Sequence, residues 1–201
     1  MIVRAWAAFR REGIGLIGNR AARFARNAIG RQKLIVYRMP PGAPAVAQRH
    51  DVVELVPGAM PADSIPWEKH EVDARRTSGA RLFALRAETR LVSFAWVSRR
   101  QDFRVEEIRR ELKSEAPLTW IWDCLTPSEY RGHGYYPELI CQLAAQFGQR
   151  DAVIFVRTDN TPSVRGIAKA GFQPWVEIAV TKWSARVGNR GPLDGGLTIS
   201  S

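Results

Sequence analysis

Cysteine is scarce in this chain of 201 residues, with Cys124 and Cys141 the only two. A disulfide framework is therefore not expected to hold the fold, and a reducing, cytoplasmic setting is. Each cysteine falls in an apolar stretch and reads as a small hydrophobe. Histidine is almost as rare: three scattered residues without paired-ligand spacing, so no metal site is expected. No apolar run approaches the roughly 18 residues of a membrane span. Arginines interrupt any core that a signal peptide would need. No segment repeats. Acidic residues are outnumbered, 20 against 30 Lys and Arg, for a net charge of +10.

That positive charge is uneven. Residues 1–33 carry eight basic side chains against the single Glu12, so the rest of the chain is only mildly basic. A dedicated nucleic-acid protein would carry its charge on the folded face, and no nucleic-acid partner is expected. In the same stretch Ile2, Trp6, Phe9, Ile14, Ile17 and Phe24 interleave with the arginines. This predicts a basic amphipathic helical arm, broken near Gly13, Gly15 and Gly18. Its apolar side could cover its own domain, a second copy of the chain in a homodimer, or an anionic membrane surface through residues 1–32. A domain over 34–186 and a flexible tail over 187–201, rich in glycine and small polar residues, complete the expected organisation.

The most informative stretch is 118–149. Leu118, Trp120, Ile121, Trp122, Cys124 and Leu125 form a nearly continuous apolar run, as in a strand covered on both faces. Turn-type residues follow at 126–129, then Tyr130-Arg131-Gly132-His133-Gly134-Tyr135-Tyr136-Pro137. Leu139, Ile140, Leu143, Ala144 and Phe147 recur at helical spacing up to Gly148. Glycines at 132 and 134 let a ligand approach the backbone. The amides opening the helix have no partner within it and favour an anion. Strand, basic glycine turn and helix start read as a diphosphate cradle or, more simply, as an ordinary strand-to-helix turn. The spacing is not that of the Walker loop, because no Lys-Ser/Thr pair follows. Nor is it the dinucleotide fingerprint, because Pro137 stands at the third glycine position.

A second stretch, Asn160-Thr161-Pro162-Ser163 through Lys169-Ala170-Gly171-Phe172, follows the apolar strand 152–156. Together the two segments resemble the GNAT family of acyl-CoA N-acyltransferases. Arg131-Gly132-His133-Gly134 looks like that family's R-x-x-G turn for the coenzyme A diphosphate. Asn160, Ser163, Lys169, Gly171 and Phe172 look like its helix beside the pantetheine arm. The resemblance covers roughly 80–183. It implies a GNAT-like α/β (α+β) fold with a mixed, mainly antiparallel central sheet flanked by helices. It also implies acetyl-CoA as acyl donor, a small-molecule amine such as an amino sugar as acceptor, and N-acetyltransferase activity. The alternative is a non-catalytic acyl-CoA-binding or regulatory module. The cofactor contacts it implies are Leu125, Thr126, Arg131, Gly132, His133, Gly134, Tyr135, Tyr136, Asn160 and Ser163. Two positions depart from the family pattern: Tyr136 replaces a small residue, and Ile167 stands where many members carry a tyrosine acid.

Around these motifs, 34–38 reads as the first strand and the proline-bearing 39–47 as a stiff connector and candidate boundary. Residues 64–76 read as a helix capped by Ser64, and 81–86 with 91–97 as a hairpin. The charged segment 101–116 is undecided between strand and helix. Residues 134–149, 152–157, 160–170 and 175–183 follow as helix, strand, helix and strand.

Acyl transfer to an amine needs a polarised thioester, a deprotonated amine and a stabilised thiolate. Asp123 is the first choice as base, because a carboxylate within an apolar strand would be partly desolvated. A structural acceptor is the simpler role for it. Glu129 and His133 sit in turns and suit solvent or phosphate better. Tyr130, Tyr135 and Tyr136 are the candidate proton donors, with Tyr130 chosen first. Trp67 could line an acceptor pocket, and the strand tryptophans read as core.

Overall fold

The computed structural model describes residues 32–40, 42–43, 47–57, 65–106, 108–148, 151–180, 185–189 and 196–200. The basic arm, through residue 31, lies outside the described residues, as do Ser64 and Trp183. The elements are β1 (Gln32–Arg38), β2 (Asp51–Glu54), α1 (Lys69–Thr77), β3 (Arg81–Ala87), β4 (Arg90–Val105) and β5 (Arg110–Leu125). After a 3-10 turn at Ser128–Tyr130 come α2 (Tyr135–Phe147), β6 (Ala152–Arg157), α3 (Thr161–Lys169), β7 (Gln173–Val180), β8 (Ala185–Asn189) and β9 (Leu197–Ser200).

Among the described residues the strands form one nine-stranded sheet in the order β2-β3-β4-β5-β6-β1-β7-β8, with β9 paired to β5. Among the described strands only β5 and β6 run parallel. A parallel neighbour needs a crossover, and α2 supplies it. The first strand, β1, lies between β6 and β7. Its side chains alternate between two buried environments: Leu34 and Val36 on one face, Ile35 and Tyr37 on the other. Alternation with both faces covered is what an interior strand requires. The 39–47 connector therefore links two parts of one sheet.

Helices α2 and α3 cover one face, where Leu139, Ile140, Leu143 and Ile167 pack on Phe83, Leu85, Ile121 and Ile154. On the other face Val72 of α1 packs with Leu82, Ala84, Phe94 and Trp96. Helix α1 begins later than expected, at Lys69, with Glu68 as N-cap and no side-chain cap. Glu71 in its first turn and Arg75 and Arg76 in its last complement the helix dipole.

The undecided segment 101–116 is strand throughout its described part, apart from the turn joining β4 to β5. Phe103, Val105 and Leu112 point inward from this hairpin and cover Trp120, with Phe103 stacked on its ring at 4.8 Å. The pairing slips between Arg100↔Leu118 and Asp102↔Lys113, accommodating Pro117 in a bulge. The tail also differs from expectation. Residues 185–189 pair with β7, and 197–200 pair with β5 at Glu111–Ser114, with Leu197 buried. Ladder partners, not local composition, order these short polar strands.

Candidate active site

Parallel pairing of β5 with β6 covers only Thr119–Ile121 against Ala152–Ile154. Past Ile121 the two strands part. At the same height the β4–β5 ladder slips, from Trp96↔Trp122 to Phe94↔Leu125, so β5 carries an extra residue. Asp123 takes it up with a left-handed φ of 44°, a conformation expensive for a non-glycine residue and typical of a bulge. The parted strands open a cleft of about 200 Å³. Trp122, Asp123 and Cys124 form one wall and Phe155, Val156 and Arg157 the other. Tyr136 of α2 and Asn160 and Ser163 of α3 also line it.

The glycine turn adjoins this cleft. Gly132 and Gly134 have φ of 87° and 83°, and Gly134 is the N-cap of α2 with no side-chain cap. The opening amides of α2 are thus left for a ligand. A Cβ at Gly132 would meet nothing within 4 Å, so the turn faces open space. A Cβ at Gly134 would stand 3.5 Å from Arg49 Nη2 and 3.9 Å from Lys169 Nζ. Two cations therefore converge on the turn. Arg131, expected to supply that charge, folds back so that its Nε donates to the Thr126 carbonyl at 3.0 Å. Thr126 is fixed in turn by a 2.8 Å hydrogen bond with Ser93.

Arg49 is brought there by a buried carboxylate. Glu138, in the first turn of α2 and fully buried, accepts the amides of Arg49 at 2.6 Å and His50 at 2.8 Å. It also bonds His50 Nδ1 at 3.0 Å and accepts Gln142 Nε2 at 3.3 Å. Burial works to raise this carboxyl, but the hydrogen bonds from His50 and the two amides outweigh it and hold it below its usual value.

The expected site residues separate into groups. Asp123, Tyr136, Asn160 and Ser163 meet in the cleft. Asn160 caps α3 by accepting the Ser163 amide at 3.4 Å. Tyr135 turns toward the 49–50 segment, edge-on to His50 and stacked with the exposed His133. Tyr130 packs against the core cluster under α2 and is not among the cleft-lining residues. Leu125 packs on the α1 side of the sheet. Ile167 is fully buried core. Burial pushes the Cys124 thiol far up, with Asp123 adding to the effect, so it reads as the small hydrophobe expected of it.

Asp123 itself is engaged. Its Oδ2 pairs with Arg75 Nη1 at 2.7 Å and accepts Trp67 Nε1 at 2.9 Å, and its side chain is 43% exposed. The Arg75 guanidinium lies 5.0 to 5.5 Å from the ring centres of Trp67, Trp96 and Trp122. This cation–aromatic cluster fastens α1 to the mouth of the cleft. Trp67 reaches Asp123 of the cleft by its indole hydrogen bond but is not among the cleft-lining residues, and its ring packs edge-on against Phe94 and Trp96. Arg49 and Arg75 went unnoticed because their roles depend on contacts 89 and 48 positions away. Lys169 belongs to the second motif, but only the fold shows its ammonium beside Gly134.

The sequence profile of the Acetyltransferase (GNAT) family matches residues 50–172, more than half of the chain, and the chain belongs to that family. The match begins after β1, so the strand between β6 and β7 comes from outside the matched region. Among solved structures, a GNAT-family acetyltransferase from Colwellia psychrerythraea is similar, with 12% identity and a TM-score of 0.50 over 78% of this chain. This chain spans about half of that protein, 54% of its length. A GNAT-family acetyltransferase from Novosphingobium aromaticivorans aligns with 17% identity and a TM-score of 0.49, over 81% of this chain and 67% of the other. The first of these likenesses concerns the fold alone. No curated protein matches the chain. Among the described residues no helix is long and apolar enough to cross a membrane.

Proposed function

We propose that this protein transfers an acyl group, most simply acetyl, from coenzyme A to an amine of a small molecule. The observation that carries the reading is the parting of β5 from β6 beside a glycine turn on which Arg49 and Lys169 converge. Coenzyme A fits these features. The open side of Gly132 admits a diphosphate to the backbone, the uncapped α2 amides receive it, and the two cations balance its charge. Asn160 and Ser163 flank the route from the turn into the cleft. When bound, the thioester supplies an activated acyl carbon.

The chain's own groups then position and polarise. A backbone amide in the bulged stretch 122–124 is the donor for the thioester oxygen. The acceptor amine enters at the mouth, between Trp67, Trp122 and Asp123. Arg75 and Trp67 both engage Asp123 through Oδ2, so Oδ1 is the atom that takes the amine's proton or orients its ammonium. The test is thiol release from acetyl-CoA with a panel of amines, amino sugars included. Turnover with any amine supports the enzyme. Tight coenzyme A binding without thiol release across the panel would instead make the protein a binding module.

A further inference from the structure

The cleft passes through the sheet. Cys124, Tyr136, Ile154 and Val156 line it on the face covered by α2 and α3. Leu34, Trp122 and Phe155 line it on the opposite face, beneath the β4–β5 hairpin. Successive residues of a strand face opposite ways, so Phe155 lies on the far side of β6 from Ile154 and Val156. Leu34 is fully buried there, whereas Trp122 and Phe155 keep part of their surface exposed. Phe103 of the hairpin packs against both, its ring centre 5.6 Å from that of Trp122 and 5.7 Å from that of Phe155.

This annex offers apolar surface to a chain. Trp122 spends its Nε1 on Ser98 Oγ at 3.1 Å, leaving ring surface to the cleft. Arg157, which also lines the cleft, is turned to Asp159, at 3.1 Å through Nε and 2.7 Å through Nη2. Asp123 adds a carboxylate to the same lining. A chain ending in a carboxylate would meet that negative charge with Arg157 already paired. A neutral hydrocarbon chain would cover the exposed parts of Trp122 and Phe155. The glycine turn opens α2, on the other face of the sheet. A donor whose diphosphate rests at that turn therefore leads with its acyl end toward the annex. The geometry points to an acyl donor with a neutral apolar chain longer than acetyl, seated among Leu34, Trp122 and Phe155. This inference rests on the acyltransferase reading and replaces acetyl within it as the preferred group.

The test is calorimetric affinity of the full chain for acetyl-, butyryl-, hexanoyl- and succinyl-CoA, measured without any amine. The coenzyme A part is common to all four, so the differences read the acyl chain alone. In wild type, affinity should rise by about fourfold for each methylene added from acetyl to butyryl. The heat capacity of binding should become more negative along the same series. Succinyl-CoA should bind more weakly than butyryl-CoA. Phe155→Trp, which fills the annex with a larger ring, should abolish the gain from acetyl to hexanoyl while acetyl-CoA affinity changes by less than about threefold. Wild type that binds acetyl-CoA as tightly as butyryl- and hexanoyl-CoA overturns the inference and leaves acetyl as the donor group. A chain-length gain that survives intact in Phe155→Trp overturns it as well, because the chain then lies elsewhere. If wild type binds none of the four thioesters, the acyltransferase reading itself falls.

Discussion

Glu138 accepts the backbone amide of Arg49 at 2.6 Å across 89 positions of sequence, inside the first turn of the helix that follows the glycine turn. This contact joins the loop before β2 to the site's anion-binding end. Glu138→Ala would leave the buried amides of Arg49 and His50 without an acceptor, at a cost of about 3 kcal/mol. Urea unfolding should show that loss, together with weaker coenzyme A binding as Arg49 loses its anchor.

The same carboxyl gives a pH dependence of defined sign. Its folded value lies below the ordinary 4.5. Its contribution is therefore fully present above that value and is lost as pH falls through the folded one. Thermal melts of wild type should lose stability on acidification below about pH 4.5, and Glu138→Gln should lack that part of the slope.

Arg49→Ala and Lys169→Ala should each weaken coenzyme A binding by about tenfold, the scale of one charge-assisted contact. Acetyl-pantetheine, which lacks the diphosphate, should bind wild type and both variants equally. A matching loss with acetyl-pantetheine would place the two cations elsewhere.

Gly134→Val combines two penalties. The left-handed φ of 83° costs a β-branched residue about 2 kcal/mol, and the new side chain pushes toward Arg49 and Lys169. Calorimetry should show coenzyme A binding lost while circular dichroism retains the folded spectrum. Undiminished affinity would remove the turn from the site.

Asp123→Asn should lower kcat and alter the pH–rate profile while affinity for acetyl-CoA holds. It should also lower the melting temperature by a few degrees, as Arg75 loses its ion pair within the tryptophan cluster. A melting shift with an unaltered pH–rate profile would leave Asp123 an anchor only.

The run from β5 through α3 was legible because its signals are local: an apolar strand, glycines where the backbone turns left-handed, and a capping Asn-x-x-Ser. The β3–β4 hairpin was legible for the same reason. The hairpin arm over 101–116 was not, because its outward positions are charged and only Phe103, Val105, Ile108 and Leu112 mark its inner face. Residues 197–200 gave no strand signal, since pairing with β5 orders them. The site divides in the same way. Gly132, Gly134, Asn160 and Ser163 could be read from motifs, whereas the Arg49 clamp and the Arg75–Asp123 pair needed the fold to bring distant segments together.

The interior placement of β1 bears on how the molecule is assembled and trimmed. The first strand among the described residues is flanked on both sides by strands made more than a hundred residues later, so the sheet cannot close until those strands have left the ribosome. A truncation that removes the basic arm and runs past Gln32 would bare the adjoining borders of β6 and β7 along their whole length. Open borders of that kind invite self-association. Shortened versions made to study the arm should accordingly stop before Gln32.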